Sequence, residues 1–194
     1  MLPRLIFISV MVAAACTSRE VPYEEEIATH RARYDEFMRS AQSPVPAAHR
    51  ATFKPLNYFP IDQSYRVPAS FEAIPSDDYL EMDTSDGATR RMRRIGKLTF
   101  TLKGLPRTLT AFVDAVENDT RRLFVPFGDL TAGTETYPGG RYLDLDRMSS
   151  GVYDLDFNRA YHPYCYYNAE YVCPVPPREN RLPVPIRAGE KLLK

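Results

Sequence analysis

Tryptophan is absent from the 194 residues, which disfavours a carbohydrate platform built on the largest stacking ring, although tyrosine can take part of that role. Neither sign of charge is in excess: 25 basic residues face 25 acidic ones. Removing residues 1–15 takes away only Arg4, leaving 25 − 1 = 24 basic against 25 acidic residues. So neutral a chain has no global field to draw it to nucleic acid or to an acidic membrane surface, and nucleic acid is not an expected partner. The GxSxG, HExxH and P-loop signatures are missing, so no hydrolase, zinc-protease or nucleotide motif directs the reading. No apolar run reaches the roughly 20 residues of a membrane-spanning helix. Internal repeats and low-complexity tracts are lacking as well. Glycine is scarce, 9 residues against 17 prolines, which points to extended, kinked segments and few long helices.

The N-terminus reads MLPRLIFISVMVAAAC. One positive charge, Arg4, precedes the apolar run Leu5 to Val12, and three alanines stand before Cys16. This pattern resembles a bacterial lipoprotein signal. The resemblance implies cleavage before Cys16, diacylglycerol on its sulfur, acylation of the new amine and attachment to the membrane through that lipid. Thr17 stands where aspartate would favour retention at an inner membrane, so the expected address is the periplasmic face of an outer membrane in a two-membrane cell. Residues 16–23 then form a tether and residues 24–194 a single domain.

Within that domain, EEEIATHRARYDEFMRSAQ predicts a helix over 24–42. Ile27, Tyr34, Phe37, Met38 and Ala41 recur near the helical period, acidic residues occupy the first turn, and SPVP ends the pattern. The remainder reads as short strands: SYRVPASFEAI, DDYLEMD, TRRMRRIGKLTFTL, RTLTAFVDA, RLFVPF, GRYLDLD and VYDLDF. TSDG, KGLP, ENDT and YPGG separate them with turn chemistry. The expected fold is mainly β with an N-terminal helix, a single antiparallel sheet curled into a barrel-like or sandwich-like form. RRMRR at 90–94 reads as a solvated edge strand protected by charge, and NDT at 118–120 as a turn. In GRYLDLD, Tyr142, Asp144 and Asp146 alternate with Leu143 and Leu145, a half-buried strand whose acidic face reads as wetted.

The second half concentrates chemically varied polar groups among tyrosines. Eight of the 13 tyrosines lie between Tyr137 and Tyr171, and their faces and hydroxyls suit either a polar-laced core or a ligand pocket. Asp129, Glu135, Arg141, Tyr142, Asn158, Tyr161, Glu179, Asn180 and Arg181 are the candidate ligand-binding residues. Arg141 and Arg181 suit a carboxylate or phosphate. The competing reading is structural, with arginine and asparagine satisfying loop backbone that no strand reaches. The C-terminal ENR motif is expected to fold back onto GGRYLDLD, so that Arg141 and the ENR residues Glu179, Asn180 and Arg181 share one polar site.

The strings LNYFPID, PFGDLTAGTETYPGGRYLDLD, DFNRAYHPYC, CPVPPRENRLPVPI and RAGEK resemble the bacterial family known as domain of unknown function 1684, from the helix near Ile27 to Lys191. The resemblance implies one compact domain, often on an exported lipoprotein. It brings no substrate, activity or catalytic residue. His162 stands where the family's run has asparagine, which argues against a shared catalytic histidine.

After export to an oxidising space, with Cys16 acylated, Cys165 and Cys173 are the remaining thiols, and such a pair reads most simply as a disulfide. Two alternatives stay open. Zinc on Cys165, Cys173 and His162 lacks a clear fourth ligand, and a thiol nucleophile would need His162 as its base. No metal centre and no cofactor are expected. The functional expectation is a lipid-anchored envelope protein of unknown biochemical role that binds a small or extended ligand at its Tyr/Arg-rich C-terminal half. The alternatives are a hydrolase using carboxyls among Asp129, Glu135, Asp144 and Glu179, or a structural and interaction lipoprotein. The oligomeric state is not legible.

Overall fold

The computed structural model of the chain describes residues 21–75 and 77–193. The leader 1–15, Cys16 and the tether as far as residue 20 lie outside them. Helix α1 spans Tyr23–Arg39, with Glu24, Glu25 and Glu26 in its first turn, where the helix dipole favours them. It stops short of the expected residue 42. Ser40 turns to extended backbone while its N–H bonds to the Phe37 carbonyl. Ile27 and Met38 are buried, and Met38 packs with Val45 and Leu56 in a small core under the helix. A one-turn helix, α2 (Ala47–Arg50), follows.

The strands are β1 (Asn57–Tyr58), β2 (Arg66–Ala73), β3 (Tyr79–Asp83), β4 (Thr89–Leu102), β5 (Leu105–Asp114), β6 (Arg122–Phe127), β7 (Arg141–Asp146), β8 (Val152–Asp156) and β9 (Glu190–Lys191). The seven strands β2 to β8 form one antiparallel sheet in the order β7-β6-β5-β4-β2-β8, with β3 paired to the first half of β4. Strands β7 and β8 hold opposite ends of this order, yet only residues 147–151 connect them. The sheet must curl until its two ends face each other, and the result is a nearly closed, barrel-like, mainly β fold with an N-terminal helix, as expected.

Period-two burial fills the interior. Leu98 and Phe100 of β4, Leu109 and Ala111 of β5, Val125 of β6 and Leu143 of β7 all belong to one core cluster. Leu182, Ile186 and Ala188 from the C-terminal segment complete it. A third cluster, of Met82, Met92 and Phe112, flanked by Phe124, lies outside the main core.

The RRMRR segment is not an edge. Strand β4 pairs with β3 on one side and β5 on the other. Its arginines find partners instead: Arg93 bonds Asn118, and Arg94 bonds both Asp78 and Glu179. A bulge between Arg94 and Gly96 re-aims the strand. Gly96 has no room for a side chain, since a Cβ there would lie 2.2 Å from the Phe71 ring.

Short pairings and single turns escaped the sequence reading. Strands β1 and β9 form a separate two-stranded ribbon. The long passage from Phe157 to Gly189 carries three 3-10 turns, Phe157–Arg159, Tyr164–Tyr166 and Arg178–Asn180.

Candidate functional site

Most of the polar residues singled out from sequence are committed to backbone. Arg141 is fully buried. Its guanidinium donates to the carbonyls of Ile186, Ala188 and Glu190 and to Asp129 Oδ2, the last at 2.9 Å. Asp129 Oδ1 in turn accepts from the backbone N–H groups of Thr131 and Ile186. Burial lowers the Arg141 pKa, and Asp129 works against that shift. Residues 186–190 of the C-terminal segment thus fold back onto β7 around a charge pair without solvent, whereas the ENR motif, expected there, lies at β5 and β6.

Asn180 is elsewhere. Its amide bridges β5 and β6, accepting from Thr110 N–H at 2.7 Å and donating to the Thr110 and Pro126 carbonyls. Arg141 and Asn180 therefore share no hydrogen-bond partner. Glu179 pairs with Arg94, Glu135 with Arg187, and exposed Arg181 bridges to Gly128 through its backbone. Asn158 is also committed, to the Tyr23 hydroxyl, Asp156 Oδ1 and the Asp62 backbone.

Three of the expected polar groups do converge. Tyr142, Asp144 and Tyr161 meet because the β7 edge is crossed at Tyr142 by Tyr161, each N–H donating to the other's carbonyl. The Tyr161 hydroxyl donates to Asp144 Oδ2 at 2.8 Å, and Arg122 Nη2 lies 3.8 Å from the same oxygen. Of the acidic face expected to be wetted on this strand, Asp146 is exposed, while Tyr142 and Asp144 are covered by the Tyr161 segment. Asp144 keeps 24% of its side-chain exposure while Arg122 keeps 67%, so the carboxylate is mostly dehydrated and its nearest cation is mostly in water. Burial raises the Asp144 pKa, more than the Tyr161 hydrogen bond and Arg122 lower it.

Asp144 stands where two clefts meet. One, of about 650 Å³, opens in the seam between β7 and β8 under α1. The other, of about 540 Å³, lies between the outer face of the sheet and the chain at Tyr171 to Pro174. Arg122, Asp144, Tyr161 and Tyr164 line both. Aromatic contacts run through the junction: Phe124 to Tyr142 at 4.7 Å, Tyr142 to Tyr161 at 5.8 Å and Tyr161 to Tyr34 at 6.0 Å between ring centroids. They continue from Tyr34 through Phe37 to Tyr164 and Tyr171. Tyr34 and Tyr58 line the seam cleft, and their buried hydroxyls have no protein partner among the described residues. Sequence reasoning assigned Tyr34 and Phe37 to helix packing and passed over Tyr58 and Tyr164. The aromatic face of α1 was the available signal.

Cys165 and Cys173 are neighbours but unbonded here. The Cys165 N–H donates to the Cys173 sulfur at 3.2 Å. Burial first, then Cys165, pushes the Cys173 thiol up to about 11. His162 faces away from both thiols in its bonding. Its Nε2 accepts from Tyr137 N–H and its Nδ1 lies 3.3 Å from Glu190 Oε1, which assigns the ring proton to Nδ1. Among the described residues no three His, Cys, Asp or Glu side chains gather as a metal site.

No curated protein matches the chain. A solved relative does: the uncharacterized protein from gene locus rrnAC0354 of Haloarcula marismortui, determined by solution NMR, has 38% sequence identity and a TM-score of 0.68. The similarity covers 88% of this chain and 94% of that one. That relative comes from an archaeon, beyond the bacterial range the motif strings imply. The profile of the proteins of unknown function DUF1684 matches residues 51–191, beginning after α1 and not at Ile27. The span includes every strand of the sheet and the Asp144 junction, and the chain belongs to the DUF1684 family.

Proposed function

We propose that this chain is a lipid-anchored cell-envelope protein that captures a small or extended ligand in the groove through Asp144. The observation that carries the reading is a dehydrated carboxylate at the junction of two clefts, walled by a run of touching aromatic rings. Such a wall offers large contact area at low entropic cost, and a few placed polar groups supply orientation. The AAAC leader supports export, anchoring through Cys16 and the periplasmic face of the outer membrane as its address. The oxidising compartment supports a Cys165–Cys173 disulfide.

A thermal-shift screen of peptidoglycan fragments, phospholipid headgroups and short peptides tests the groove. A true ligand raises the melting temperature of the wild type and loses that effect in Tyr164→Ala. Hits indifferent to Tyr164→Ala and to Asp144→Asn would overturn the reading.

Acid–base hydrolysis is the second reading, favoured by the raised Asp144 pKa. Of the carboxyls considered for it, Asp129, Glu135 and Glu179 are each paired to an arginine at 2.9 Å. Asp144 is the one that lines the two clefts of the junction. Product formation from any screening hit, abolished in Asp144→Asn, distinguishes turnover from capture.

A further inference from the structure

Resting on that reading of the groove, we propose that its ligand carries an organic ammonium group, seated on the Asp144 carboxylate against Tyr161 and Tyr164. Four observations converge on a cation of this kind. First, Asp144 has one neutral donor, the Tyr161 hydroxyl, and one loosely placed, water-exposed arginine. An arriving cation gains more from such a carboxylate than from one already paired.

Second, the local balance of free charge is acidic. Arg159 is occupied by Glu26 and Asp156, and Arg66 by Asp154. Asp146, two positions along the same strand, has no basic partner within ion-pair distance among the described residues. Third, the wall is aromatic, and ring faces attract an alkylammonium while the apolar stem of the ligand packs against the ring edges. A metal ion gains little there, because it requires several oxygen ligands and the described residues gather no such set. Fourth, the hydroxyls of Tyr34 and Tyr58 are buried without a partner among the described residues, in the same cleft. An ammonium brings three donors and no acceptor, the complement of the Asp144 carboxylate with the Tyr161 hydroxyl oxygen beside it, and a ligand extending along the cleft meets the two unpartnered hydroxyls.

Three probes of matched shape separate charge from packing: pentylammonium, pentan-1-ol and pentanoate, titrated against the full chain and followed by saturation-transfer NMR. The inference expects pentylammonium to bind at least about tenfold tighter than pentan-1-ol, and pentanoate weakest. In Asp144→Asn the preference for the amine collapses while the alcohol still binds. In Tyr161→Phe, which keeps the carboxylate, the amine preference persists at reduced strength.

Equal affinity for amine and alcohol, both lost in Tyr164→Ala, overturns the ammonium and leaves the groove standing. Tightest binding by pentanoate overturns it in favour of the arginines. Amine binding that survives both Asp144→Asn and Tyr164→Ala removes the ammonium and the groove together. No saturable binding of any probe overturns the ammonium, and the groove then stands or falls on the fragment screen.

Discussion

Among the described residues, Arg141 is the largest side chain removed completely from water. Its planar fork reaches three carbonyls and Asp129 at once, a geometry lysine cannot reproduce with its single ammonium. Arg141→Lys should therefore destabilise the protein by about 2 to 4 kcal/mol, read as a lower urea midpoint at unchanged slope. Since Arg141 lines neither cleft at the Asp144 junction, ligand capture by the remaining folded protein should be unaffected. Asp144 behaves in the opposite sense. Its folded pKa lies above the ordinary carboxylate value because of burial. Its contribution favours folding at low pH and is lost as pH rises through the folded pKa. Asp144→Asn should raise the melting temperature at neutral pH by on the order of a degree or two, and the gain should vanish near pH 3. A lower melting temperature at neutral pH would show that the carboxylate is structural.

At the scale of elements, the strands were legible and their edges were not. Period-two alternation in KLTFTL, RTLTAFVDA and RYLDLD marks β4, β5 and β7, because one face of each is buried in a shared core. Alternation says nothing about which strands lie at the ends of a sheet, and the arginine-rich start of β4 imitates a protected edge while sitting between two partners. The ribbon of β1 and β9 left no pattern to find, since two-residue strands have no period. What places β9 is Gly189, with a left-handed φ of 76°. A Cβ there would lie 2.6 Å from the carbonyl oxygens of Phe157 and Ala160. Gly189→Ala should cost about 3 kcal/mol through backbone strain and displaced carbonyls. Chemical denaturation measures the loss, and a cost below about 1 kcal/mol would mean that the segment relaxes freely.

For the whole molecule, sequence located the aromatic, polar half of the chain but not the point where it converges. Asn180 and Arg141 look alike to a reader of composition, and only the fold separates side chains that staple backbone from those that face a cleft. The thiol pair is a similar case: the spacing permits a clasp, and the fold brings Cys165 N–H onto the Cys173 sulfur. Under the proposed export, each thiol should give up a proton and an electron to an oxidant of that compartment, closing the bond. Alkylation of the unreduced, denatured protein should then find neither thiol modified, and two modified thiols would reject the clasp. The seam also bears on how copies of the chain stay apart. Beyond Tyr142 the free side of β7 has no strand partner among the described residues, and β8 ends the sheet at the other side. Both are templates for another chain's backbone. Helix α1 lies across the seam, held by Tyr23 on Asp156 and by Glu26 on Arg159. Helix α1 is thus a guard against edge-to-edge assembly, and the same rings that shape the groove shield the open edges from a neighbouring chain.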